Sequence, residues 1–240
     1  IMLASAARLF LNEHGVLPGR QIGVYTACDS AWHAAFDLHG AGARIAMIVD
    51  CRREVGSSLL ARANDLAIPV RTGHAVTATR GRLRVKSMTA APLEGGGGDT
   101  VSIDALILSG GWTPSVHLFS QSRGRLEWDA AGARFLPSVA AENCTSVGAC
   151  NGTTTLAEAM GEAATAVGAE PPPVEEDGSM EGHLAGACRG AGPEDFTKAF
   201  VDYQNDVTAK DIRLAVREGF RSIEHVKRYT TTGMATDQGK

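Results

Sequence analysis

The chain has 240 residues, a formal net charge of −4 and 44% hydrophobic residues, which is ordinary for a globular protein. A negative net charge does not indicate the basic surface that binds nucleic acid, so no nucleic-acid partner is expected. No apolar run is long enough to span a bilayer, so we predict no membrane association. The cysteines are odd in number and scattered, which indicates reduced thiols and predicts a cytoplasmic location. The 5 cysteines and 7 histidines show no ligand spacing such as CxxC, and no metal site is predicted.

The first part of the chain alternates between helical and strand patterns. The predicted elements are, in order, a helix over 3–14, a strand over 21–26, a helix over 30–39, a strand over 44–50, a helix over 59–66 and a strand over 69–76. The second to fourth of these have the order and length of a βαβ unit. This succession predicts an α/β fold of the nucleotide-binding kind.

The pattern then changes to short strands and small-residue segments. The predicted elements are a hairpin over 75–88, a strand over 101–108, a strand within 134–147 that ends in Cys144–Val147, and a helix over 153–167. A glycine-rich segment, 94–99, separates the hairpin from the next strand.

Composition predicts a domain boundary in the last third of the chain. Pro, Gly and Glu dominate a linker, and two short helices over 211–219 and 222–229 follow, preceded by the capping residues Thr208 and Ser222. We therefore predict an α/β region over 1–168 that is incomplete at its N-terminus, a linker over 169–194, and a small helical domain over 195–240.

The turn of the βαβ unit is a degenerate dinucleotide fingerprint. That fingerprint needs glycines at three positions so that the backbone can approach a pyrophosphate. Thr26, Cys28 and Ala31 stand at these positions, while Asp50 ends the second strand where a ribose-binding acid belongs. Two hypotheses follow: a nicotinamide dinucleotide site, or a unit that keeps the fold and has lost the ligand.

Three motifs carry a resemblance to a known family. They are Val24-Tyr-Thr-Ala-Cys-Asp-Ser-Ala31, Ser109-Gly-Gly-Trp-Thr-Pro-Ser-Val-His-Leu-Phe-Ser-Gln-Ser122, and the segment from Phe196 onward with Gln204-Asn-Asp-Val-Thr-Ala-Lys-Asp211. The chain resembles an internal piece of the alpha subunit of heterotetrameric sarcosine oxidase. The resemblance implies a two-domain flavoprotein-like core, followed by a small helical domain that leads into a folate-binding domain.

That resemblance also implies an activity and its partners. The family oxidatively demethylates sarcosine to glycine, forms hydrogen peroxide, and transfers the one-carbon unit to tetrahydrofolate. It implies assembly with beta, gamma and delta subunits, with FAD and FMN mainly on the beta subunit and NAD in this subunit. We expect no catalytic side chain within this segment.

The stretch from Val147 to Leu156 resembles the returning FAD-domain motif of disulfide-reductase-like flavoproteins. In those proteins an Asp binds the flavin, and here Ala149 stands at that position. A helix N-terminus still favours an anion without that carboxylate. The resemblance therefore implies that Gly148, Ala149, Thr154 and Leu156 line the edge of NAD. The alternative is a structural strand–helix turn.

The C-terminal segment is similar to small ferredoxin-associated modules that bind a [2Fe-2S] cluster. Asp202, Gln204 and Asp237 stand where three of the cysteine ligands belong, and a cluster needs thiolates. No cluster is expected, which disfavours an alternative assignment to opine- or cyanide-forming dehydrogenase subunits that keep those ligands. A further alternative is a non-catalytic scaffold in which both nucleotide sites are lost.

Overall fold

The computed structural model describes residues 1–175 and 199–236. The chain divides into two compact units, residues 1–191 and 192–240. Most of the predicted linker, together with residues 195–198 and 237–240, lies outside the described residues.

The first unit contains ten strands and five α-helices among its described residues. They are β1 (Met2–Leu3), α1 (Ala4–His14), β2 (Gln21–Thr26), α2 (Ser30–Gly40), β3 (Arg44–Asp50), α3 (Ser57–Asp65), β4 (Val70–Thr72), β5 (His74–Gly81), β6 (Val85–Pro92), β7 (Asp99–Ser102), β8 (Ala105–Ser109), α4 (His117–Gln121), β9 (Arg125–Asp129), β10 (Arg134–Val139) and α5 (Leu156–Val167). The predicted α/β fold is confirmed, and the predicted βαβ unit is β2–α2–β3.

Five strands form one parallel sheet in the order β1-β8-β2-β3-β4. The three strands β5-β6-β7 form a separate antiparallel sheet. The carboxyl ends of β2, β3 and β8 therefore lie side by side. In an open parallel sheet this edge is where ligands bind.

Side chains alternate between the two faces of β2 and so build two cores. Ile22 and Val24 point into a cluster with helix residues such as Trp32 and Leu38. The other face of the parallel sheet packs against the antiparallel sheet through a cluster that includes Met88 and Leu106. The unit is thus layered, with helices on one face of the parallel sheet and β5–β7 on the other.

Gly23 is needed where these layers approach each other. A Cβ built at this position would lie 2.5 Å from Sδ of Met88 and 3.3 Å from Cγ2 of Ile103. Met88 is fully buried, so its side chain has little room to move away.

Two predicted strands are each divided in the structure. The strand predicted over 69–76 ends at Thr72, because Gly73 adopts a left-handed φ of 65° and β5 then begins at His74 in the other sheet. The strand predicted over 101–108 is divided between β7 and β8 at Ile103–Asp104. Such a change of sheet cannot be recognised from a continuous apolar pattern, because the segments on both sides of the division are half-buried strands.

The segment that follows the parallel sheet also differs from the prediction. β9 and β10 form an antiparallel hairpin, of which β9 was not predicted. No strand covers Cys144–Val147, and a 3-10 helix over Gly148–Asn151 comes next. Helix α5 begins at Leu156 and not at residue 153, because Thr155 caps it by accepting a hydrogen bond from the Glu158 amide.

The second unit contains β11 (Phe200–Asp202), β12 (Val207–Thr208), α6 (Ala209–Arg217) and α7 (Ile223–Thr230) among its described residues. The two predicted helices and their capping residues are present. Thr208 and Asp211 form a capping box at the start of α6. Ser222 is the N-cap of α7.

Within residues 1–175 and 199–236, no helix combines the length and the hydropathy that a membrane span requires.

Candidate functional site

The four residues predicted to line a nucleotide lie around the start of α5. Gly148 is buried and opens the 3-10 helix, Ala149 is exposed, and Thr154 is half-buried. Leu156 is the first residue of α5 and its side chain is 57% exposed. The turn thus brings these residues to one short stretch of surface.

Gly148 is favoured at the start of the 3-10 helix by its backbone conformation. Its φ is +70°, a conformation that favours glycine. A Cβ at this position would lie 3.4 Å from Cβ of Ala159, which is an ordinary van der Waals contact. The glycine therefore has a backbone role, whether or not a ligand lies outside it.

The inner side of this turn is closed by a carboxylate that the sequence prediction missed. Glu162 Oε2 accepts a hydrogen bond of 2.7 Å from the Gly148 amide and one of 3.5 Å from Asn151 Nδ2. Its other oxygen accepts a short hydrogen bond from the Thr153 hydroxyl. The Thr153 hydroxyl, followed by the Gly148 amide, holds the pKa of Glu162 below its usual range. The ionised carboxylate consequently ties the turn to its own helix.

The outer side of the turn remains accessible. Leu156 is the first residue of α5, where a backbone amide has no acceptor within the helix. Ala149 projects no carboxylate toward this end, and Leu156 adds an exposed apolar surface. The start of α5 thus offers a backbone amide and an apolar surface on its outer side. That Gly148, Ala149, Thr154 and Leu156 line a nucleotide stays a prediction.

Asp50, the predicted ribose-binding acid, ends β3 and is fully buried. Its Oδ1 accepts from the Arg52 amide at 2.8 Å and from Arg52 Nε at 3.1 Å. Its Oδ2 accepts from Arg52 Nη2 at 2.8 Å and from Trp32 Nε1 at 2.9 Å. A carboxylate offers about four lone-pair positions, so its acceptor capacity is used within the protein.

Arg52 also reaches the start of α2. Its Nη1 lies 2.8 Å from Oδ1 of Asp29 and forms an ion pair with it. Burial lowers the pKa of Arg52, but the bonds and charges of Asp50 and Asp29 outweigh it and the net direction is upward. Burial, with a smaller contribution from the Asp50 charge, raises the pKa of Tyr25.

The degenerate glycine positions are filled with side chains that bond to one another. The Cys28 amide donates to the Thr26 hydroxyl at 3.0 Å, and that hydroxyl donates to the Cys28 carbonyl at 2.8 Å. The Cys28 thiol lies 3.0 Å from Oγ of Ser109 and 3.2 Å from Oγ of Ser30. Trp112 Nε1 donates to the same Ser30 oxygen at 2.9 Å.

In the second unit, Asp202 is nearly buried and bonds to two separate loops. Its Oδ1 accepts from the amides of Gln204 and Asn205, both at 2.9 Å. Its Oδ2 accepts from the Gly233 amide at 2.8 Å. The Asn205 amide, followed by the Gly233 amide, lowers the pKa of Asp202. The side chain retains solvent contact, and the hydrogen bonds from three backbone amides explain why its pKa is lowered.

Gln204 joins the same two loops, since Thr236 Oγ1 donates to its Oε1 at 3.1 Å. Of the three residues that stand at predicted cluster-ligand positions, Asp202 and Gln204 therefore form hydrogen bonds that connect these two loops. The third, Asp237, lies outside the described residues. In the part of the chain that the structure describes, no group of three or more His, Cys, Asp or Glu side chains could hold a metal ion.

The α/β fold of this chain is similar to that of a solved protein structure. The structure of L-proline dehydrogenase from P. horikoshii matches 97% of this chain and 44% of its own chain with a TM-score of 0.57 at 17% identity. At that identity the match establishes the fold alone.

Sequence comparison shows similarity to one named kind of protein. Residues 196–240 match the sarcosine oxidase A3 domain family. The whole chain is 37% identical to sarcosine oxidase subunit alpha of Rhizobium meliloti and 36% identical to that of Corynebacterium sp. strain P-1. The chain is therefore a homologue of sarcosine oxidase alpha subunits, as the resemblance predicted. It spans 24% and 27% of these two relatives, about a quarter of their length.

Proposed function

We propose that this chain is a segment of the alpha subunit of a cytoplasmic sarcosine oxidase complex, assembled with beta, gamma and delta subunits. The complex removes two electrons from the N-methyl group of sarcosine and reduces dioxygen to hydrogen peroxide. Glycine is released and the one-carbon unit passes to tetrahydrofolate. The carrying observation is the identity of 32–37% to three such alpha subunits over the whole chain.

The role proposed for this segment is to hold NAD at the start of α5 and to support assembly. FAD and FMN are assigned mainly to the beta subunit, and no side chain of this segment is assigned to catalysis. Gly148, Ala149, Thr154 and Leu156 would line the nucleotide. The accessible helix start and the absence of a carboxylate at Ala149 support this assignment.

The test is to titrate the full chain, and the complex that contains it, with NAD by calorimetry. The variant Leu156→Asp places a negative charge at the proposed site. An acidic residue is favourable at a helix start, so this variant should fold normally. Like charges that face each other cost several kcal/mol, so we expect NAD affinity to fall by about tenfold or more.

The matched control is Leu83→Asp, since Leu83 is 97% exposed and lies in the turn between β5 and β6. It introduces the same charge and should leave NAD affinity unchanged. Equal NAD affinities for the wild type and the Leu156→Asp variant would refute the site. Absence of NAD binding in the complex would instead favour the scaffold hypothesis.

A further inference from the structure

The turn between β2 and α2, together with the end of β3, has the position of a second dinucleotide site. We propose that in this chain it is sealed by its own side chains and takes no dinucleotide. We name residues Thr26–Ala31 with Asp50, Arg52 and Trp112 the sealed crossing. This inference is independent of the proposed NAD site at α5.

Two backbone amides of the turn that a pyrophosphate would approach already have acceptors within the protein. The Ala27 amide donates to the Ser109 carbonyl at 3.0 Å. The Cys28 amide donates to the Thr26 hydroxyl at 3.0 Å. In a functional fingerprint, glycines leave such amides open to the pyrophosphate. Here Thr26 and Cys28 are buried and occupy that space.

The acid that would bind a ribose is used as well. All four acceptor positions of Asp50 are taken by Arg52 and Trp32. A ribose hydroxyl could bond to Asp50 only if it displaced a buried guanidinium or an indole. Either displacement would leave a buried polar group without its partner, which is unfavourable.

The two carboxylates of the crossing are held within the protein. Asp29 and Asp50 both form ion pairs of 2.8 Å with the guanidinium of Arg52. The Gly110–Gly111 segment then brings Trp112 over the helix start, where its indole bonds to Ser30.

The first experiment is hydrogen–deuterium exchange of the full chain with NAD, NADH and NADP at millimolar concentration. We expect no added protection in the peptide that covers residues 26–31. Protection there would overturn the proposal. If NAD protects only residues 148–157, both proposals stand. If it protects neither region, the α5 site fails while the sealed crossing holds.

The second experiment needs no nucleotide. Cys28 is fully buried whereas Cys144 is exposed. With N-ethylmaleimide and peptide mapping, we expect Cys28 to react more than about tenfold more slowly than Cys144, since it reacts only on local opening. The variant Trp112→Ala should speed the reaction of Cys28, and Trp128→Ala is the control. Equal rates for Cys28 and Cys144 in the wild type would overturn the proposal.

Discussion

Arg52 and its neighbour Arg53 provide a matched test of the buried charge cluster. In the variant Arg52→Ala, Asp50 loses Nε and Nη2 as donors and keeps only the backbone amide and Trp32. The carboxylate remains fully buried without its counter-charge. Removal of one partner from a buried pair costs about 3–5 kcal/mol. We expect the free energy of unfolding of the first unit to fall by that amount.

Arg53 is next to Arg52 in the sequence, but the two side chains differ in burial. It pairs with Glu94, and both side chains are exposed, at 73% and 74%. A surface pair contributes about 0–1 kcal/mol, so Arg53→Ala should be almost neutral. A double variant, Asp50→Asn with Arg52→Ala, should be more stable than Arg52→Ala, since the fully buried charge of Asp50 is then removed together with its partner.

The assay is urea unfolding followed by tryptophan fluorescence. All 3 tryptophans of the chain, Trp32, Trp112 and Trp128, lie in the first unit, so the signal reports that unit. An Arg52→Ala variant within about 1 kcal/mol of the Arg53→Ala variant would refute the reasoning, because the cluster would then behave as a surface pair.

Two further predictions concern Asp202 and Gly23. The lowered pKa of Asp202 means that its contribution to stability is present above the unfolded pKa of about 3.9 and is lost as the pH falls through the lower folded pKa. The NMR shift of the Gly233 amide should therefore titrate in that acid range in the wild type and in the control variant Asp206→Asn. It should not titrate in Asp202→Asn. An unchanged titration in Asp202→Asn would assign the titration to another group. Gly23→Ala should destabilise the first unit by about 1–3 kcal/mol, because its methyl group would overlap Met88. Gly40→Ala, whose added methyl group meets open space, should be neutral or slightly stabilising in the same urea assay, and equal values for the two would contradict the packing argument.

The sequence predicted the α/β core because its signals are local. Helix α1 shows a 3.6-residue apolar period and ends at Gly15, which adopts the left-handed conformation of a helix end. β2 and β3 are short apolar runs on either side of α2. The end of β3 could likewise be placed at Asp50, because a polar residue follows the buried run.

The features that were missed depend on contacts between distant residues. Glu162 lies within the amphipathic pattern of α5, and nothing local shows that it bonds to the Gly148 amide 14 positions earlier. An acidic residue on the inner face of a small-residue helix was the available signal. In the same way, the role of Arg52 can be recognised only in the folded structure, where the sheet brings the end of β3 and the start of α2 together.

Strand order in the parallel sheet has a consequence for synthesis of the chain. β2 lies between β3 and β8, and Ile22 pairs with Ala105. At ribosomal rates of about 5–20 residues per second, β2 and β3 are made roughly 3–17 s before β8. During that interval one edge of β2 has unpaired amides and carbonyls beside an apolar face. The nascent chain is therefore exposed to wrong strand pairing until residue 109 has left the ribosome.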